Sequence, residues 1–165
     1  VREGCCGDTW NNVSRWTAGL LFNKEFDDVK SISKDDRIKY LAPIAAINLK
    51  KTPGSASSNN KVIRQFARDD KAYSIDELKA IDPEIIICCG TGDIFIEEIL
   101  DKKSSDFENV KNNDDLYYYW HNDKLILKYM HPQPRGISSK YLFDNLVPYV
   151  KEIIEKKLTL LQENI

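Results

Sequence analysis

The stretch from Lys124 to Gly136, KLILKYMHPQPRG, constrains this chain more than any other. Its first half, Leu125-Ile126-Leu127 with Tyr129 and Met130 following, is rich in β-formers and reads as a buried strand. It stops abruptly at His131-Pro132-Gln133-Pro134-Arg135-Gly136, where two prolines and a glycine in five residues permit neither a continued strand nor an immediate helix. A histidine therefore stands where a buried strand leaves its sheet, in a stiff loop that also carries an arginine. Open α/β sheets place their ligands at such carboxyl ends of strands.

The rest of the chain supplies the partners such a strand needs. Trp10, Val13, Trp16, Leu20 and Leu21 fall at helical spacing, with Asp8 or Thr9 as cap. Phe22 to Tyr40 is highly charged without a clean period and reads as a loop with a short helix. The continuous apolar run from Pro43 to Leu49 predicts a buried parallel strand, followed by the turn-rich Lys50 to Ser58. A helix is expected through Val62, Ile63, Phe66 and Ala67, and Ser74-Ile75-Asp76-Glu77 matches a capping box that opens another. Glu84 to Cys89 reads as a strand running into Gly90-Thr91-Gly92-Asp93 and a helix carrying Phe95, Ile96 and Ile99. Asp101 to Asp115 is polar and reads as a surface loop; Leu116 to Trp120 and the stretch from Leu125 read as a hairpin turning at His121-Asn122-Asp123. The chain from Ser138 onward is helical, with Pro148 either breaking that helix or starting a second.

This order predicts one α/β domain over residues 1–165, three-layered, with helices on both faces of a short, mainly parallel central sheet. Its 165 residues suit a single core, and 42% hydrophobic with 30% charged residues excludes general disorder. The net charge of −2 removes any global pull toward polyanions while leaving room for a local basic groove. Cys5-Cys6 and Cys88-Cys89 are adjacent pairs without metal-ligand spacing, so a zinc or iron–sulfur site is not expected, and the cysteines read as buried thiols in a reducing compartment. No apolar run has membrane-spanning length and no signal pattern opens the chain, so the expected location is cytoplasmic, away from membranes.

Each candidate site residue has a plain reading beside its functional one. His131 is either a loop histidine or, neutral and held by its prolines, a donor to a developing anion. Asn48 either caps a turn or uses its donor and acceptor to read one edge of a nucleobase. Lys50 and Lys51, followed by Ser55, either form a solvated loop or hold phosphates. Gly90-Thr91-Gly92 is a turn or an anion-binding helix start, His121 is expected in solvent, and the Tyr117 to Trp120 run reads as sheet packing.

Together these pieces resemble the uracil-DNA glycosylase superfamily. The matching segments are Ile44-Ala45-Ala46-Ile47-Asn48, Asp82-Pro83 through Gly90, and His131-Pro132-Gln133-Pro134, over roughly Trp10 to Tyr149. The resemblance implies a glycosylase-like fold and excision of uracil or another damaged base from DNA after flipping it from the stack, without metal or organic cofactor. It implies that Asn48 reads the base, that His131 stabilises the leaving base, and that Arg135 and Ile137 form the wedge. Lys50, Lys51, Ser55 and Gln133 would then contact the DNA backbone. Two features depart from the family. Gln133 stands where a serine is usual, and the first motif, a strand leading to a loop with an acidic residue, is expected upstream of the Trp10 helix, where Val1 to Thr9 do not supply it. A non-catalytic nucleic-acid or nucleotide-binding module is the alternative, and a phosphate ligand at Gly90-Thr91-Gly92 a third. Oligomeric state and target base are not encoded in any of these motifs.

Overall fold

A computed structural model describes residues 7–52 and 59–163. The chain divides into two compact units, one comprising Val1–Ile44 with His131–Ile165, the other Ala45–Met130.

The first unit is helical. Helix α1 spans Gly7–Phe22. Of the expected stripe only Trp16 is buried, Val13 and Leu20 are half-buried, and Trp10 and Leu21 are exposed, because the buried side of the helix is shared with Asn12, Ser14, Arg15, Thr17 and Ala18. Gly19 is needed there because an added methyl would meet Val147 Cγ1 at 2.7 Å and Phe143 at 2.8 Å. The charged stretch after α1 is more ordered than its composition suggests. It forms α2 (Phe26–Val29) and α3 (Lys34–Leu41). Ser33 caps α3: its Oγ accepts from the Asp36 N–H at 3.1 Å, while Asp36 Oδ2 accepts from the Ser33 N–H at 3.0 Å. That reciprocal box satisfies two backbone donors at once, which explains a helix with little apolar content. At the other end of the chain, α7 (Ser139–Asp144) is capped by Ser138, and α8 (Val147–Gln162) carries Pro148 in its first turn, the second of the two readings of that proline. Leu142, Phe143, Leu146, Val147 and Val150 are buried, and Phe26 meets Phe143 edge to face with centroids 5.7 Å apart.

The second unit carries the sheet. Helices α4 (Asn60–Asp69) and α5 (Lys71–Ile81) precede β1 (Ile85–Cys89). A short α6 (Gly92–Ile94) continues as a π-helical turn over Phe95–Ile99. Strands β2 (Glu108–Val110), β3 (Asn113–His121) and β4 (Lys124–Tyr129) follow. The strand order is β1-β4-β3-β2; β1 and β4 are parallel, and the other two pairs are antiparallel. Register places Ile86, Cys88, Ile126 and Tyr119 on one face. There Ile126 and Cys88 join Ala67, Ile94, Phe95 and Ile99 in a buried cluster. Leu125, Leu127 and Tyr129 project from the other face and are also buried, so the run Leu125-Ile126-Leu127 is apolar because residues of both faces are buried.

A charged clamp ties α4 to the π-helical turn. Arg64 Nη1 lies 2.5 Å from both Glu97 and Glu98, and Arg68 grips Glu98 through Nε at 2.6 Å and Nη2 at 3.0 Å. Hydrogen bonds from Arg68 and Arg64 hold the Glu98 carboxyl down at about 2, and Ser104 with Arg64 lowers that of Glu97.

Several expectations are corrected here. The fold is mixed α/β, but its four-stranded sheet is mostly antiparallel rather than mainly parallel. Residues 43–49 form no strand. Ile44 and Ile47 are half-buried while Ala45 and Ala46 are exposed, and alanine has little preference for a pleated, half-buried surface. Ser74 does not open a helix either. Helix α5 starts three residues earlier at Lys71, leaving Ser74 buried within it with its Oγ unpaired. The polar stretch 101–115 contains the edge strand β2 and the start of β3, because an edge strand needs few apolar residues. The hairpin turns at Asn122-Asp123 as expected, with Asn122 at φ 56°, but His121 ends β3 and is half-buried rather than in solvent.

Candidate functional site

The His131 loop belongs to the helical unit, and α1 holds it. His131 is exposed, and its Nδ1 accepts the backbone N–H of Gln133 at 3.1 Å. A neutral ring accepting at Nδ1 carries its proton on Nε2, so this bond fixes the tautomer and makes Nε2–H the ring's remaining donor. Pro132 is buried beside it, and its carbonyl accepts from Asn12 Nδ2 at 2.7 Å. Asn12 is itself oriented, since Arg15 Nη1 donates to its Oδ1 at 2.8 Å. The guanidinium also reaches the Val29 carbonyl through Nε at 3.0 Å and the Lys30 carbonyl through Nη2 at 2.9 Å.

Arg15 is thus a buried cation, 8% exposed, held by the carbonyls at the end of α2 and by Asn12; among the described residues no carboxylate is in hydrogen-bond contact with it. Burial lowers its pKa, partly offset by the field of Asp8 in the first turn of α1. Carbonyls at a helix C-terminus are partially negative and accept from a cation without needing an ion pair. A second tether, from the Thr9 hydroxyl to Gln133 Oε1 at 2.9 Å, occupies the side chain expected on phosphate. Arg135 and Ile137 are exposed around Gly136, whose φ of 76° turns the chain toward the Ser138 cap.

The other candidates lie in the sheet-bearing unit. Asn48 is exposed on irregular backbone rather than at a strand end. Lys50 places its Nζ 5.3 Å from the centre of the Phe66 ring. Lys51 forms an ion pair with Glu77 and lies over Tyr73 at 5.2 Å, so its charge is largely answered within the protein. Ser55 lies outside the described residues, as do Cys5 and Cys6. Gly90 has φ 72° and its N–H donates to the Tyr129 carbonyl at 2.8 Å, which closes the parallel ends of β1 and β4. Gly92 admits the Lys128 stem, since an added Cβ would meet Lys128 Cβ at 2.6 Å. That loop is thus explained by backbone turning and close packing. Lys128 extends past it to pair with Asp93 at 2.8 Å.

Each unit therefore contributes its own candidates: His131, Gln133, Arg135 and Ile137 to the helical one, Asn48, Lys50 and Lys51 to the other. Sequence reasoning missed Thr9, Asn12 and Arg15, which hold the loop. No apolar face singled them out, because Asn12 and Arg15 share the buried side of α1 with Ser14 and Thr17 while Trp10 and Leu21 are exposed; their burial shows only in the fold, where buried polar groups require partners. Among the described residues no group of three or more His, Cys, Asp or Glu is placed to hold a metal ion. Burial pushes the Cys89 thiol up to about 11 and that of Cys88 higher still, which makes both poor nucleophiles. No described helix is long and apolar enough to cross a membrane.

What fold and site define together is a mixed α/β protein with a histidine loop tethered to a helical unit. Comparison with protein-family models, curated proteins and solved structures found no match.

Proposed function

We propose that this protein is a DNA glycosylase-like enzyme that extrudes uracil or another damaged base and hydrolyses its N-glycosidic bond. The reading includes a three-layer glycosylase-like arrangement of the domain. One observation carries it: the Gln133 N–H on Nδ1 holds His131 as an exposed Nε2–H donor in a loop braced by Asn12. As the bond from C1′ to the base nitrogen breaks, its electron pair leaves with the base. A hydrogen bond from neutral His131 to the base's carbonyl oxygen stabilises that anion; water bonds to C1′ through its oxygen, and the proton it releases ends on the departing base, giving the C1′ hydroxyl and the neutral free base. Preorganisation matters because a donor already aimed costs no reorganisation as charge develops. Asn48 reads the base edge, Arg135 and Ile137 fill the vacated stack, and Lys50, Lys51, Ser55 and Gln133 contact the backbone.

The test is release of base from uracil-containing single- and double-stranded oligonucleotides, scored as abasic-site cleavage. His131→Ala should abolish most product while leaving the thermal melt unchanged, since the imidazole is exposed. DNA affinity without product from the wild type would identify a binding module. Neither affinity nor product would defeat the nucleic-acid reading altogether.

A further inference from the structure

A second feature lies in the helical unit, one residue from the loop tether. Trp10 and α3 line an open apolar groove, whose walls are Trp10, Ile38 and Leu41, rimmed by Lys34 and Arg37. Trp10 is 38% exposed and Ile38 63% exposed, unusual for a tryptophan and an isoleucine only a few residues from buried helix faces. On α3 the groove residues recur at i, i+3, i+4 and i+7, so both cations and both aliphatics share one face.

The charges of that face are unanswered. Neither the Lys34 nor the Arg37 side chain has a hydrogen-bond or ion-pair partner among the described residues, and no carboxylate lines the groove. Asp36 is folded back onto Ser33 as part of the helix cap, its Oδ2 accepting from Ser33 Oγ at 2.7 Å. Asp35 is offset about 100° around the helix from Lys34. An occupant must therefore bring a flat or apolar group and negative charge beside it.

We propose that this groove is a single-stranded nucleic-acid subsite: Trp10 stacks one base, and Lys34 and Arg37 hold the phosphates on either side. Single-strand binding sites combine an aromatic platform with cations that track the backbone, and these five residues supply one platform with two cations. The groove spans only two turns of α3, roughly 10 Å, which suits one nucleotide with its flanking phosphates better than a folded partner. Thr9, adjacent to Trp10, donates to Gln133 of the histidine loop, so the strand would continue directly past that loop. The proposal rests on the nucleic-acid reading above and names a strand-holding subsite for it.

The experiment is fluorescence anisotropy of a labelled, uracil-free dT12 oligonucleotide with the full chain, titrated at several salt concentrations. Trp10→Leu keeps the wall apolar but removes the stacking face, and should weaken binding about tenfold. In Lys34→Gln/Arg37→Gln the slope of log affinity against log salt should shallow by about 1.4, at about 0.7 for each phosphate of a single strand that is no longer neutralised. This double variant changes an exposed lysine and a half-buried arginine on the groove's rim and leaves its apolar walls intact, so it tests the subsite even if Trp10→Leu misfolds. Unchanged affinity and slope in the folded variants would overturn the proposal, as would binding of an acidic amphipathic peptide in place of dT12. Base-excision assays separate the two claims. Trp10-dependent dT12 binding without excision sinks the enzyme alone, whereas excision with an unchanged KM in Trp10→Leu sinks the subsite alone.

Discussion

Asn12→Ala tests how the histidine loop is held. Asn12 is 5% exposed and bridges two buried groups, donating to the Pro132 carbonyl at 2.7 Å and accepting from Arg15 Nη1 at 2.8 Å. Alanine removes both bonds and leaves a carbonyl and a cationic N–H without partners. An unsatisfied buried polar group costs about 1–3 kcal/mol, so the expected loss of stability for the two is about 2–6 kcal/mol. Arg15→Met should cost a similar amount, because it strands the Val29 and Lys30 carbonyls along with Asn12 Oδ1. The two residues touch, so the double variant should fall short of the sum of the singles by at least about 0.5 kcal/mol. Urea unfolding followed by tryptophan fluorescence gives all four corners of the cycle, with buried Trp16 on the same helix as reporter. Base release measured in parallel should fall in Asn12→Ala under conditions where the protein remains folded, because the loop bearing His131 has lost its brace. Strict additivity, or a loss below about 1 kcal/mol for Asn12→Ala, would show that the bridge does not hold the loop.

The remaining predictions address packing and charge elsewhere. Gly19→Ala should destabilise by about 1–3 kcal/mol in thermal melts, since its methyl would overlap Val147 and Phe143. Ser74→Ala should be neutral or stabilising in the same melts, because its hydroxyl is buried and unpaired; a helix-capping serine would instead cost about 1 kcal/mol. The Glu98 carboxyl is lowered from 4.5 to about 2 by its arginines, so its contribution is fully present above about pH 4.5 and is lost as pH falls through about 2. Stability measured between those limits should therefore fall less steeply in Glu98→Gln than in the wild type.

Legibility followed the strength of the local pattern. Helix α1, the hairpin and the C-terminal helices announce themselves through long apolar periods and turn residues, which tertiary context had little reason to override. The Pro43–Leu49 run misled because continuous hydrophobicity measures burial rather than backbone pairing. Its two alanines ended up exposed, at the point where the chain passes from one unit to the other. Ser74 satisfied the letter of a capping box, yet Lys71 to Tyr73 had no reason to stay outside the helix, so the pattern fell in its interior. In the site, the histidine loop was legible because prolines and glycine are local signals. Its support was not: the bond from Asn12 to Pro132 joins residues 120 apart in the chain, and only the fold makes them neighbours.

Net charge is a weak guide to what this surface attracts, because the distribution of ion pairs decides which charges face outward. In the sheet-bearing unit, Lys51, Arg64, Arg68, Lys71, Lys124 and Lys128 each have a carboxylate partner. Those cations screen their own partners and add little field beyond a Debye length. Lys34 and Arg37 stand differently, presenting on one helix face, beside an exposed indole, two cations with no carboxylate partner among the described residues. A chain with a net charge of −2 can therefore hold a phosphodiester locally while repelling it elsewhere, which favours a short contact at one place over non-specific coating. If the proposed subsite holds, binding should be weak and depend steeply on these two residues. A salt slope governed by Lys51 or by the Arg64 clamp instead would mean that the internal ion pairs open on binding, and that the free cations on α3 are not what the strand meets.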